Sequence, residues 1–275
     1  MSKRRKFIVA TILVAVAILA IRFPFLQWRF RVPIFAVFST LVSLWALKDE
    51  DFSGIEWITL LTLPAMFSLA GALVFPLLPG SFINFFLWEV TAATGLVLSF
   101  VIKLVFLALF MVGYYASLLT SNIYNVAGIR TIQLLRAAHA IGFILKLFCA
   151  LSLYLVVISM HLNGWMNMGL VFIISVPLII LSLWTINLSE RLEKRVVVYG
   201  VFLSFALSQV GWVLSYLPLS LSLYALTICA LFYLEVGTAQ LYFEEKLSLR
   251  SGREFLIFFI FIIVFLLWYI FFWSV

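Results

Sequence analysis

Residues 138–160 read AHAIGFILKLFCALSLYLVVISM, and this stretch decides the fold. A membrane-crossing helix needs about 20 mostly apolar residues. This run meets that length with a single lysine, Lys146, and lacks the two-residue alternation of a barrel strand. Backbone in lipid must satisfy its own hydrogen bonds, so the reading is a helix. The same texture recurs at 7–21, 32–47, 58–78, 83–119, 168–186, 197–216, 219–236 and 255–273.

Composition agrees with this reading. Apolar residues make up 66% of the chain and charged residues only 11%, against roughly 45–50% and 25% in soluble domains. The 29 Phe suit acyl chains, while the 9 Trp and 10 Tyr suit headgroup depth. Cys149 and Cys229 both fall inside apolar runs and read as small buried hydrophobes. Lys3, Arg4, Arg5 and Lys6 ahead of an apolar run, with Ala15-Val16-Ala17 as a small-x-small step, also fit a secretory signal. The run is read here as a first anchoring helix.

The run 83–119 is the difficult one. A single helix over it rises about 55 Å, well beyond a hydrocarbon core of about 30 Å. It is expected to break, with 81–94 interfacial or re-entrant and 95–119 spanning. Charge favours nine spans with a cytoplasmic N-terminus. That arrangement puts Lys3 to Lys6, Lys48, Arg130, Arg136 and the basic residues of 191–195 and 246–253 inside, leaving Arg22, Arg29 and Arg31 outside. A tenth span would move the N-terminus and Lys48 outside and weaken the asymmetry. Segment 120–137 is then the largest cytoplasmic loop, with helical propensity after Gly128.

Two fourfold stripes stand out. Thr91, Gly95, Ser99 and Lys103 share one helix face, and Ala138, Gly142, Lys146 and Ala150 share another. Small residues on a face admit a neighbouring helix, so each stripe reads as a packing seam with a lysine set into it. An ammonium at mid-membrane costs about 2.5–3.5 kcal/mol. Something must offset that: a carboxylate such as Glu89 or Glu235, an anionic ligand, or snorkelling of the lysine head to an interface. Arg22, Arg29 and Arg31, set among Phe23, Phe25, Trp28 and Phe30, suit anionic headgroups at the outer interface. Glu235, Thr238 and Tyr242 fall on one face near a span end. Gly200, Ser204 and Ser208 read as helix packing.

Absences narrow the function classes. The chain has no H-E-x-x-H, no G-x-S-x-G and no P-loop. Its spans hold no aspartate, which disfavours aspartate-dependent prenyl transfer and intramembrane aspartyl proteolysis. The last span has no lysine for a retinal Schiff base. His139 and His161 lie toward opposite faces, so a shared metal is not expected. A net charge of +7 spread over short loops is not a nucleic-acid footprint.

The sequence therefore predicts an all-α polytopic integral membrane helix bundle of about nine transmembrane helices, forming a single domain over 1–275. Its expected home is the cytoplasmic (plasma) membrane of a prokaryote. The expected role is transport or binding of an anionic amphipathic molecule or lipid, with Lys103, Lys146, Arg22, Arg29, Arg31, Glu89 and Glu235 as candidate binding residues. The alternative is a structural or assembly subunit of a larger membrane complex. Membrane lipids are the expected partners, along with other membrane subunits or a second copy. No enzyme activity, catalytic residue, cofactor, metal or nucleic acid is expected.

Overall fold

The computed structural model describes residues 2–20, 28–48, 56–78, 92–129, 133–189 and 192–272, with side chains except at 28–30, 56–58, 92–99, 128–129 and 251. Among these residues the chain forms nine α-helices and no strand. They are α1 Lys3–Ala20, α2 Trp28–Leu47, α3 Glu56–Val74, α4 Ala92–Ile129, α5 Leu135–Ser159, α6 Gly164–Asn187, α7 Lys194–Leu214, α8 Leu221–Phe243 and α9 Leu249–Phe272. A short 3-10 turn, Phe75–Leu77, follows α3 and contains Pro76. Seven of the helices are long and apolar enough to cross a membrane.

The surface agrees with a lipid solvent. Ile257 is 65% exposed, Phe202 67% and Phe272 73%. Large apolar side chains exposed in such numbers are not tolerated by water. In α9 only 6% of the apolar window is buried within the chain. A helix that is apolar all round belongs in a core or in lipid, so α9 is a span. The chain is an all-α polytopic membrane protein.

The helices group into two compact units, residues 1–53 with 57–145, and residues 54–56 with 146–275. In the first unit α1 packs on α2 and α4, with Phe7 edge-on to Tyr115 at 6.4 Å. A polar knot ties three helices together. Tyr114 on α4 shares a 2.8 Å hydrogen bond with Ser43 on α2, and Ser68 on α3 donates to Ser39 on α2 at 2.9 Å. All four side chains are fully buried. Hydroxyls in a dry interior need partners, and Ser43 also donates to the Ser39 carbonyl of its own helix.

The α4 helix departs from the sequence expectation at its far end. It continues through 120–129, which had been assigned to a loop. No proline interrupts that segment, and Thr120, Ser121 and Tyr124 are buried. The Tyr124 hydroxyl donates to the Ala138 carbonyl, so this turn is packed against protein and the helix continues where the hydrophobicity falls. The expected interfacial segment 81–94 lies mostly outside the described residues, and its last residues, from Ala92, belong to α4.

In the second unit α6 and α7 make the most extensive contact. Glycine creates this close approach: a Cβ at Gly200 would meet Ile180, and one at Gly211 would meet Val171. Ser204 and Ser208 on the same seam are fully buried, as their spacing predicted. The α8 helix closes the group. Tyr224 donates to the Gly211 carbonyl at 2.9 Å, and Gln240 to the Ser182 carbonyl at 3.1 Å. The Gln240 bond lies beyond Val236, the expected end of the span, and the helix runs on to Phe243.

Candidate functional site

The α5 stripe Ala138, Gly142, Lys146 and Ala150 lies on one helix face, and all four residues are buried. Its small members are needed where α4 approaches. A Cβ at Gly142 would meet the Tyr124 hydroxyl and Thr120, and Tyr124 donates to the Ala138 carbonyl at 3.0 Å. One turn further, the same face carries Lys146. Its exposure is 2%, which leaves no room for a head that has snorkelled out of the bundle. Its ammonium makes no hydrogen bond or ion pair with any described residue.

Lys146 and the residues that follow it belong to the second unit. The Cys229 thiol of α8 points at the Leu147 carbonyl, 3.6 Å away, so α8 reaches α5 one residue from Lys146. Tyr154, two turns beyond Lys146, is fully buried and meets Ser175 of α6 at 2.8 Å. Ser175 gives its own proton to the Val171 carbonyl at 2.6 Å, so Tyr154 is the donor of that pair. Glu235 on α8 lies within electrostatic reach of Tyr154. Its Oε2 is buried without a hydrogen-bond partner, and it forms no ion pair with Lys146. Lys146 and Glu235 thus do not pair with each other.

The other sequence candidates are placed as follows. Lys103 is partly exposed on α4, more than four helical turns before Thr120, where α4 touches α5. Arg31 is partly exposed near the start of α2. The backbone of Arg29 belongs to α2, while its side chain, like Arg22 and Glu89, lies outside the described residues. Sequence reasoning missed the knot of Ser39, Ser43, Ser68 and Tyr114. Ser39 and Ser43 do stand four apart, a signal of the same kind as the stripes that were noted. Tyr154 gave no local signal, because its partner comes from another helix.

Among the described residues no group of three His, Cys, Asp or Glu is placed to hold a metal ion. Both cysteines are free. Comparison with known protein families, with curated proteins and with solved structures finds no match. The fold defines a class, a polytopic membrane helix bundle, and the chemistry of the buried polar residues carries the argument from there.

Proposed function

We propose that this protein binds an anionic amphipathic molecule within its helix bundle, as a carrier or receptor, with Lys146 as the charge that holds the anion. The observation that supports this is the burial of Lys146 in a membrane-crossing helix without a hydrogen-bond or ion-pair partner among the described residues. An ionisable side chain in such a place is costly and marks a binding or transport path more readily than a packing position. On this reading Arg22, Arg29 and Arg31 collect the anion at the outer interface.

The test uses the full chain in a neutral detergent, with dodecyl phosphate as probe and an uncharged dodecyl glycoside as control. Saturable binding of the phosphate, weakened at least about tenfold by Lys146→Met, is the expected result. Unchanged affinity in a folded Lys146→Met protein removes the reading.

A second reading, a subunit of a larger assembly, draws on α9, which packs on α8 and leaves most of its surface to be covered from outside the chain. Purification in a mild detergent separates the two, since a subunit brings a stoichiometric membrane partner with it.

A further inference from the structure

Where α7 begins and α8 ends, the guanidinium carbon of Arg195 lies 5.8 Å from the Tyr199 ring centre, 5.3 Å from that of Tyr242 and 4.9 Å from that of Phe243. The rings brace one another. Tyr199 and Tyr242 stack at 6.0 Å, and Phe243 meets Tyr199 edge-on at 5.4 Å. Such a cage fixes the plane of the arginine.

No described carboxylate neutralises Arg195. Glu244 pairs with Lys246 at 2.8 Å and Glu254 with Arg250 at 3.5 Å. Glu193, two residues before Arg195, makes no side-chain bond to the first turn of α7. That turn therefore adds unfilled backbone N–H groups beside the arginine. The position is also where an apolar span gives way to charged residues, which is headgroup depth.

A second feature leads away from Arg195 along the same face of α7. Val198, Phe202 and Phe205, at i+3, i+7 and i+10, are 54%, 67% and 46% exposed. A polar anchor followed by an open apolar track matches a phosphate joined to acyl chains. Free phosphate would have no use for the track.

We propose that Arg195, Tyr199 and Tyr242 bind the headgroup phosphate of an anionic membrane lipid whose acyl chain lies along Val198, Phe202 and Phe205. This site is separate from Lys146 and does not depend on that reading.

The test measures lipid retention by native mass spectrometry on the full chain, offered phosphatidylglycerol, phosphatidylcholine or inorganic phosphate. Phosphatidylglycerol is expected to be retained in preference to phosphatidylcholine. Arg195→Ala is expected to lower its retention about tenfold, the scale of a charged bidentate contact, and Arg195→Lys to restore only part. Phe202→Ala, which leaves the cage untouched, is expected to lower retention as well, and Lys146→Met to leave it unchanged. Wild-type retention in Arg195→Ala overturns the proposal. So does displacement of the lipid by millimolar inorganic phosphate, which would make this a free-phosphate site. Should Arg195→Ala fail to fold, Phe202→Ala decides, and unchanged retention there overturns the proposal equally.

Discussion

Phe67 of α3 and Phe110 of α4 stack with ring centres 5.5 Å apart, and each ring fills the space above a glycine of the opposite helix. Phe67 sits over Gly113, and Phe110 sits over Gly71. The arrangement is reciprocal, so each helix supplies one knob and one notch. Glycine costs about 1 kcal/mol relative to alanine in an exposed helix. Here it is retained because any Cβ would occupy the position of the ring.

Gly71→Ala and Gly113→Ala are each expected to destabilise the protein by about 1–3 kcal/mol, despite the better helix propensity of alanine. Thermal unfolding in detergent measures this. Adding Phe67→Leu to Gly113→Ala is expected to recover part of the loss, which ties the effect to the ring.

Tyr114→Phe removes the hydroxyl shared with Ser43 while keeping the ring that stacks on Phe110 at 5.9 Å. Interhelical hydrogen bonds in membranes average about 0.6 kcal/mol and reach about 1.7. A double-mutant cycle of Tyr114→Phe with Ser43→Ala is expected to give a coupling in that range. A coupling of zero would mean that the bond contributes nothing to stability.

Lys146→Met is expected to raise the unfolding midpoint of the ligand-free protein, because it replaces a buried ammonium that has no partner among the described residues by an apolar chain of similar length. The same variant is expected to lose binding of dodecyl phosphate. Stability and binding moving in opposite directions is the signature of a residue kept for its ligand, and a fall in both would identify a packing role.

Burial divides two chemically identical residues. Ile228 on α8 is fully buried and Ile257 on α9 is 65% exposed. Ile228→Ala is expected to cost about 2–5 kcal/mol, and Ile257→Ala to stay within about 0.5 kcal/mol. Denaturation of the two variants side by side in one detergent is the check.

Much of this architecture is legible in the chain. Apolar runs bounded by charge locate the helices, because lipid allows the backbone one economical solution and charge marks where lipid ends. Fourfold spacing identified the buried faces of α5 and α7, since side chains four apart share a surface whatever packs on it. The end of α4 was placed too early because the apolar run stops at Leu119, and a linear pattern of hydrophobicity does not show that the polar residues beyond it, such as Tyr124, find protein partners. The Arg195 cage was invisible for a related reason. Tyr199 is one turn away, but Tyr242 and Phe243 come from the next helix, and only the pairing of α7 with α8 brings them to it.

Helix α4 runs unbroken from Ala92 to Ile129, and Phe110 stands at its midpoint, clamped against α3. At 1.5 Å per residue its 38 residues extend about 57 Å, nearly twice the thickness of a hydrocarbon core of about 30 Å, so part of the helix stands clear of the acyl region and meets headgroups or solvent.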